Sequence, residues 1–289
     1  MTTAFAPGHV SGLFAVHDES PDWRKKGSRG AGWSLEKGAR ATATRTSGPL
    51  LLHFGGHDRD APVTRKALAF LGVQEGLRID VELQLPTGQG FGMSAAGTLA
   101  ACLVACTELG LEPEEALAAT HRAEVESGTG LGDAIGSWFG SGEVRMKPGC
   151  PPDGWATRVE PPEGTRFAFV SMGAGIPTTS IIRDAAWKMR TRELGDAAVD
   201  RILAAGRAGA WDAILREAHE FSLALGLMEP AMQALGSRLP KGVAWGQSML
   251  GRTLWATGQG LDEALPLLRQ SGEILVVGVD PNGARVVRS

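Results

Sequence analysis

The stretch that decides the fold is LPTGQGFGMSAAGTLAACLVAC, residues 85–106. It places three glycines within residues 88–92 and then continues into an alanine-rich segment with Ser94 close to its start. Directly before it, residues 78–85 alternate apolar and polar side chains, which predicts a strand with one buried face. Residues 94–109 are typical of a helix whose small side chains permit close packing. The predicted unit is therefore a strand, a glycine-rich loop and a helix.

A loop of this kind offers a binding site for an anion. The start of a helix presents unpaired backbone N–H groups and the positive end of the helix dipole, and glycines let a bulky anion approach the backbone. Glycine loops also serve merely to pack a helix tightly against a sheet. From the residues alone, a phosphate site and a packing role both stay open.

Three known loop motifs can be compared with this one. A Walker A loop needs a lysine, and residues 85–106 contain none. The dinucleotide fingerprint G-x-G-x-x-G is met only approximately by residues 90–95, which end in alanine. A nucleophile elbow, G-x-S-x-G, would have alanine in place of its last glycine at residues 92–96. A serine hydrolase with Ser94 as its nucleophile therefore stays open as an alternative.

The composition predicts a globular protein with two lobes. The chain has 289 residues, of which 43% are hydrophobic and 21% are charged. Residues 147–164 carry five prolines and are expected to join the lobes. Because strands and helices are mixed on both sides of this stretch, we expect an α+β fold with an N-terminal lobe of residues 1–163 and a C-terminal lobe of residues 164–289.

Charge and hydropathy exclude several classes of partner. A net charge of −3 provides no broad basic surface for nucleic acid. No apolar run approaches the roughly 18 residues of a membrane span, and no signal peptide is evident, so we expect a cytoplasmic protein without a membrane partner. The cysteines at 102, 106 and 150 match neither a disulfide framework nor a zinc motif. The expected partner is a small molecule, and the oligomeric state stays open, with a homodimer as one alternative.

Residues 86–97, PTGQGFGMSAAG, resemble the second motif of the GHMP kinases, the superfamily of galactokinase and of homoserine, mevalonate and phosphomevalonate kinases. Residues 6–14, APGHVSGLF, lie where the superfamily carries its first motif but lack its usual lysine and its Gly-Glu-His ending. Together with residues 27–38 and 120–134, they resemble a divergent archaeal branch that phosphorylates a small dihydroxy acid. Residues 242–252 depart most, because they replace the customary glycine-rich third motif.

The resemblance implies a fold, a reaction and two cofactors. The fold would have an N-terminal lobe like ribosomal protein S5 domain 2 and a C-terminal ferredoxin-like lobe, with the active site between them. The reaction would be transfer of a phosphoryl group from ATP to an alcohol, with Mg²⁺ required. A mevalonate- or homoserine-type kinase is the nearest alternative. The residues that would hold ATP are Pro86, Gly88, Gly90, Gly92, Met93, Ser94, Ala95, Ala96 and Gly97.

The resemblance also implies roles for the metal ligands and the base. Ser94 and Glu124 would bind Mg²⁺, which prefers oxygen ligands. Asp133, between glycines in the loop T-G-L-G-D, matches the aspartate that takes or orients the proton of the acceptor hydroxyl. Each residue has a simpler alternative: Ser94 caps its own helix, Glu124 is a solvated surface residue, and Asp133 caps the following helix.

Four further residues are expected to bind the substrate, mostly on the strength of the resemblance. Arg145 would pair with the substrate carboxylate, because a guanidinium binds a carboxylate through two hydrogen bonds. His121 lies one helical turn before the expected metal ligand and would hydrogen-bond the substrate. Ser28 would donate another hydrogen bond, and its neighbour Arg29 would supply charge. An ordinary structural role is the alternative for each His or Arg.

Overall fold

The computed structural model describes residues 1–58, 60–173 and 184–287. Its strands are β1 (Thr2–His17), β2 (Gly27–Pro49), β3 (Leu51–Phe54), β4 (His57–Asp58), β5 (Glu75–Leu83), β6 (Gly142–Lys147), β7 (Trp155–Val159), β8 (Arg166–Ser171), β9 (Val243–Gln247), β10 (Thr253–Gly258), β11 (Ile274–Gly278) and β12 (Arg285–Val287). Its α-helices are α1 (Pro62–Phe70), α2 (Met93–Leu109), α3 (Pro113–Ser127), α4 (Asp133–Phe139), α5 (Ala185–Ala204), α6 (Gly206–Ala224), α7 (Pro230–Gly236) and α8 (Leu261–Arg269). The predicted α+β fold is confirmed.

The strands form two sheets. The first has the spatial order β12-β1-β2-β5-β3-β4, and β6 and β7 extend it beside β2. The second has the order β11-β8-β10-β9 and is antiparallel throughout. The first sheet includes a strand from near the end of the chain, so the two sheets do not divide at one point of the sequence. The proposed lobe boundary at residue 163 lies between β7 and β8 and stays a prediction.

The strand, glycine-rich loop and helix are confirmed as β5 and α2. The buried positions of β5 alternate along its second half, as the sequence pattern predicts. Residues 95–106 of α2 are all buried, because the helix is covered by the first sheet on one side and by other helices on the other. A helix that is apolar on all sides is stable only in such a buried position.

Aromatic side chains join the two sheets. The ring of Trp33 on β2 stacks on Phe167 of β8 at a centroid distance of 4.6 Å. Trp255 of β10 meets the same Trp33 ring edge-on at 5.2 Å. All three side chains are fully buried, so one hydrophobic core continues from the first sheet into the second.

Two irregularities in the pairing of β1 with β2 shape the site. The register shifts between Pro7 and His9 and again between Ser11 and Leu13. Bulges of this kind redirect side chains and are common beside active sites. Within the described parts of the chain, no helix is long and apolar enough to cross a membrane.

Candidate active site

The candidate active site is a cleft where β1 and β2 meet the glycine-rich loop and the loop before α4. Its polar lining is formed by Ser11, Ser28, Thr129 and Asp133, together with glycines 90, 130 and 132. Its apolar lining is formed by Phe14, Leu131, Met249 and Leu250. The last two belong to residues 242–252, so the segment that departs most from the superfamily forms one wall of the cleft.

The glycine-rich loop ends at Gly92, which is the N-cap residue of α2 in a left-handed conformation (φ 59°). A β-carbon at this position would lie 3.0 Å from the carbonyl oxygen of His9 and 3.2 Å from Cβ of Asp133. Gly90 is also left-handed (φ 81°), and its β-carbon would lie 2.8 Å from Cβ of Ser248. Both glycines are therefore needed for the backbone conformation and for close packing, Gly90 against Ser248 and Gly92 beside Asp133.

Ser94 lies in the first turn of α2 with an exposed side chain. The N-cap of this helix is Gly92, so the alternative in which Ser94 caps the helix is wrong. Its hydroxyl has no hydrogen-bond partner among the residues that the structure describes, and it is available to a ligand at the positive end of the helix.

Not every residue of the second motif faces a ligand. The N–H of Ala96 already donates to the carbonyl oxygen of Gly92 at 3.0 Å, which is the first bond of the helix. A β-carbon on Gly97 would lie 3.3 Å from the side chain of Leu83, so this glycine lets α2 pack against β5. Pro86 and Gly88 lie exposed at the start of the loop. The N–H groups left for an anion are those of Met93, Ser94 and Ala95, since the first N–H groups of a helix lack internal partners.

Glu124 on α3 is buried, with 3% of its surface exposed, so the alternative of a solvated surface residue is wrong. No donor reaches its carboxylate within the described part of the chain. Burial raises the pKa of Glu124 to about 8, and the negative charge of Asp133 adds to the effect. The β-carbon of an alanine at Gly130 would lie 2.7 Å from Oε1, so Gly130 lies directly against this carboxylate. A buried carboxylate without a partner is costly unless it serves a ligand.

Asp133 is the first residue of α4, and its side chain is about one third exposed to the cleft (34%). The N-cap residue is Gly132, so the alternative in which Asp133 caps the helix is wrong. Oδ1 accepts hydrogen bonds from Nδ1 of His9 at 2.9 Å and from the hydroxyl of Ser11 at 3.2 Å. Burial would raise the pKa of Asp133, but the hydrogen bond and charge of His9 and the charge of Arg145 hold this pKa below its ordinary value.

His9 connects Asp133 to a second, fully buried carboxylate. Its Nε2 lies 3.0 Å from Oε1 of Glu143 on β6. The same oxygen accepts a short hydrogen bond from Arg145, two residues further along β6. Sequence analysis did not single out His9, Ser11 or Glu143. The available signal was the presence of polar residues at alternating positions in strands that otherwise carry small and apolar side chains.

Two of the four expected substrate residues lie at the cleft. Ser28 lines it, and its hydroxyl donates to the carbonyl oxygen of Leu131 at 3.3 Å. Arg145 lies directly beneath, 2% exposed, with one end of its guanidinium paired to Glu143. Its Nε has no partner among the described residues, and a β-carbon on Gly132 would lie 2.8 Å from it. This edge of the guanidinium lies next to Gly132, which lines the cleft.

The other two lie elsewhere. The guanidinium of Arg29 donates to Asp196 at 2.9 Å and to Asp200 at 2.7 Å, both on α5. His121 is buried, with Nε2 2.9 Å from the carbonyl oxygen of Lys26, and burial lowers the pKa of this histidine to about 4. Arg29 and His121 therefore make structural contacts, as the alternative of an ordinary structural role predicts. Neither residue lines the cleft.

Comparison with known proteins gives one consistent result. The family described as GHMP kinases N terminal domain matches residues 62–141, which include the glycine-rich loop and Asp133. The solved structure titled "Phosphotransferase related to CoA biosynthesis pathway" superposes with a TM-score of 0.87 at 26% identity, covering 99% of this chain and 98% of that one. Mevalonate-3-kinase from Thermoplasma acidophilum shares the fold, with a TM-score of 0.71 at 13% identity. Residues 62–141 therefore resemble the N-terminal domain of the GHMP kinases, and the fold of the whole chain is similar to that of a phosphotransferase and of a mevalonate kinase.

Two further similar proteins match this chain over almost their whole length, and both carry the same name. A protein of Methanospirillum hungatei named pantoate kinase is 29% identical over 99% of this chain and 96% of its own length. A pantoate kinase of Methanocaldococcus jannaschii is 26% identical over 92% of this chain and 96% of its own length.

Proposed function

We propose that this protein is a pantoate kinase, which transfers the γ-phosphoryl group of ATP to the primary hydroxyl of pantoate and yields 4-phosphopantoate. The observation that carries this proposal is the carboxylate of Asp133, held ionised in a cleft beside the glycine-rich loop. Phosphoryl transfer needs such a group to orient the attacking hydroxyl next to a phosphate-binding site.

The glycine-rich loop and the start of α2 would bind the ATP phosphates. The free N–H groups of residues 93–95 point out of the helix where its dipole is positive. These donors suit the phosphate oxygens, and the left-handed glycines at 90 and 92 shape the loop that leads into the helix.

Residues at the site fit a magnesium ion. The described residues contain no cluster of three or more acidic, histidine or cysteine side chains that would bind a metal alone. Mg²⁺ in kinases is commonly held by one or two protein oxygens together with phosphates and water. The unpartnered carboxylate of Glu124 and the exposed hydroxyl of Ser94 supply such oxygens. When bound, the ion would neutralise charge on the transferred phosphoryl group.

Asp133 would orient the acceptor hydroxyl and receive its proton. Its Oδ1 is occupied by His9 and Ser11. No donor among the described residues reaches Oδ2, so this oxygen is available to the substrate. Because the transition state of phosphoryl transfer is loose, an ionised carboxylate that accepts the proton late is sufficient, and a strong base is not required.

The lining of the cleft suits pantoate better than a substrate that is polar throughout. Pantoate has a dimethyl-substituted carbon next to its primary hydroxyl and a carboxylate at its other end. The apolar wall formed by Phe14, Leu131, Met249 and Leu250 would accommodate the methyl groups. Ser28 and the Nε edge of Arg145 would face the carboxylate. Arg29 and His121 would support the site by holding neighbouring elements.

The reaction would serve coenzyme A biosynthesis in the cytoplasm of an archaeon, and a homodimer is one alternative for the assembly. Another GHMP kinase, of mevalonate or homoserine type, is the nearest competing function. A serine hydrolase needs a histidine beside Ser94, and in the described parts of the chain none lies within hydrogen-bond distance. Labelling of Ser94 by a fluorophosphonate probe would support the hydrolase.

A substrate panel tests the proposal. ADP release from Mg·ATP is measured with pantoate, mevalonate, homoserine and shikimate as acceptors. We expect turnover with pantoate to exceed turnover with the other three. Turnover with one of those three and none with pantoate would reject the substrate assignment and leave the kinase class intact.

A further inference from the structure

Five side chains behind the cleft form a closed ring of polar contacts. His9 bonds Asp133 through Nδ1 and Glu143 through Nε2, at 2.9 and 3.0 Å. Arg145 bonds Glu143 through one terminal nitrogen, and its other terminal nitrogen lies 3.4 Å from the hydroxyl of Ser11. Ser11 in turn donates to Asp133 at 3.2 Å. Asp133 and Ser11 line the cleft, whereas His9, Glu143 and Arg145 are at most 2% exposed.

The ring of His9 is fixed in place by its surroundings. A β-carbon on Gly136 of α4 would lie 2.2 Å from Nε2, and one on Gly32 of β2 would lie 2.7 Å from the same nitrogen. Glycines on both sides therefore allow the imidazole to fit between a strand and a helix, and the hydrogen bonds to Asp133 and Glu143 fix its orientation. Its two nitrogens remain aimed at the two carboxylates.

The hydrogen-bond pattern sets the proton content of this group. Ionised carboxylates are only acceptors, so each ring nitrogen that faces one must carry a proton. Arg145 beside Glu143 and the hydroxyl of Ser11 on Asp133 both favour ionised carboxylates. His9 is then an imidazolium ion between two carboxylates, and with Arg145 the four charges cancel. Burial would lower the pKa of His9, but its hydrogen bonds to Asp133 and Glu143 and the charges of both hold this pKa above its ordinary value.

We propose that Glu143 is a positioning residue for phosphoryl transfer, which acts through His9 to hold Asp133 ionised and oriented toward the acceptor hydroxyl. The assignment rests on the proposed function of Asp133. Glu143 lies behind His9 and does not line the cleft. Its negative charge keeps both ring nitrogens protonated, and the cationic ring in turn binds Oδ1 of Asp133 and leaves Oδ2 for the substrate.

The pH dependence follows from this arrangement. As pH rises through the pKa of His9, the ring loses its positive charge and Asp133 loses its cationic partner, so kcat falls. Replacement of Glu143 by glutamine removes one anion beside the ring and lets His9 lose its proton at a lower pH, by about 1 to 3 units. Among the described residues, the titratable Glu124 of α3 and the charged Arg145 of β6 also act on Asp133. Both stay in place in the variant, so the difference between the two profiles reports Glu143.

The test compares the wild-type protein with Glu143→Gln by NMR, without substrate. Titration of the imidazole nitrogens is followed for His9, and titration of the carboxyl carbon is followed for Asp133. In the wild type we expect both His9 nitrogens to stay protonated above about pH 6.5, where a free imidazole loses its proton. In Glu143→Gln we expect the His9 midpoint to fall, and the Asp133 carboxyl carbon to sense the loss of the His9 proton at that same lower pH.

Steady-state kinetics with the acceptor that the enzyme phosphorylates form the second arm. We expect the basic limb of the kcat profile to move to lower pH by the same amount as the His9 midpoint, with little change in KM. Glu217→Gln is the matched control, because Glu217 is also a buried carboxylate paired with an arginine, Arg201, but lies on α6 outside the cleft. This control should leave the profile unchanged.

The outcomes separate this proposal from the proposed function. A neutral His9 in the wild type at pH 7, or an unchanged His9 midpoint in Glu143→Gln, would overturn the role of Glu143. If Glu143→Gln does not fold, the titration of His9 in the wild type tests the proposal. A His9 ring with one protonated nitrogen contradicts the proposal, and a ring with both nitrogens protonated supports it. Expected titrations without turnover of pantoate would reject the substrate and leave the coupling of Glu143 to Asp133 in place.

Discussion

The pKa values of two carboxyl groups in the candidate site are shifted in opposite directions. Asp133 accepts hydrogen bonds from His9 and Ser11, which hold its pKa low despite burial. Glu124 has no such donors, and burial raises its pKa to about 8. The difference matches their proposed roles, because one group must accept a proton from the substrate and the other must exchange its proton for a metal ion.

The isolated position of Glu124 predicts a stability change that depends on pH. Its pKa rises from an ordinary 4.5 to about 8 on folding, so the folded protein retains a proton that the unfolded chain releases between these values. The contribution of Glu124 to the free energy of unfolding of the wild type therefore falls as pH rises from about 4.5 to 8. Glu124→Gln removes this loss and should be more stable than the wild type at pH 8 by a few kcal/mol, at roughly 1.4 kcal/mol per pKa unit.

The measurement is urea denaturation of both proteins at pH 5 and pH 8 with a chelator present. The difference in free energy of unfolding should grow with pH in favour of the variant. Equal differences at the two pH values would show that Glu124 is not buried as an unpartnered carboxylate. Enzymatic turnover should be lost in the same variant, because the proposed metal ligand is gone.

At the scale of elements, the glycine-rich loop has to place the start of α2 directly beside Asp133. Gly88 and Gly92 both have left-handed backbones, with φ of 77° and 59°. They differ in surroundings, because a β-carbon at Gly88 would meet nothing within 4 Å, whereas one at Gly92 would press on His9 and Asp133. Of these two, Gly88 is therefore required by its backbone conformation alone, whereas Gly92 is required by its conformation and by the lack of space for a side chain.

This pair predicts different effects for the same substitution. Gly88→Ala and Gly92→Ala should each lose about 1–2 kcal/mol of stability from the left-handed backbone. Only Gly92→Ala should displace the carboxylate of Asp133, and a displacement of this kind can reduce kcat by tenfold or more, up to about a hundredfold. Urea denaturation and kcat are measured on both variants. Equal loss of kcat in the two would show that space beside Asp133 is not what Gly92 provides.

The strand β5, the glycine-rich loop and the helix α2 could be predicted from sequence because the patterns that indicate them are local. Alternation along β5, the proline after it and the glycines before α2 lie within about thirty residues and determine the backbone directly. The ring of His9 and Glu143 could not be predicted in this way. These residues are 134 positions apart in the sequence. They meet only because β2 pairs with both β1 and β6 and so brings the two strands close together.

The dependence on tertiary packing also explains why only two of the four expected substrate residues lie at the cleft. Ser28 and Arg29 are neighbours in sequence, yet adjacent side chains of a strand point to opposite faces, so only Ser28 lines the cleft. His121 lies on the expected helix, and its contact with Lys26 depends on how α3 packs against the chain before β2. The family resemblance gave most of these candidates, whereas the direction in which each side chain faces depends on tertiary packing.

At the scale of the whole molecule, the sheets share one hydrophobic core. Trp33 lies at the junction, in contact with Phe167, Trp211 and Trp255. The helix α6, which follows the proposed lobe boundary, also packs on β1 through Phe221 and Phe14, whose rings are 5.9 Å apart. We therefore expect the two sheets to unfold together.

Trp33→Ala should lower the free energy of unfolding by about 3–5 kcal/mol, because it leaves a large cavity between the sheets. Trp155→Ala is the matched control, since that side chain is 61% exposed, and it should change stability by less than about 1 kcal/mol. Urea denaturation followed by far-UV circular dichroism measures both. A wild-type transition with two separate steps would contradict a shared core.

The central claim is that this chain phosphorylates pantoate at the cleft where Asp133 lies. Phosphorus NMR of a mixture of Mg·ATP, pantoate and the protein tests it most directly, with wild type and Asp133→Asn compared at equal concentration. The wild type should convert ATP to ADP and a phosphate ester at the primary hydroxyl of pantoate. The folded Asp133→Asn variant should be slower by about a hundredfold or more. Equal rates in the two proteins, or no ester with the wild type, would contradict the claim.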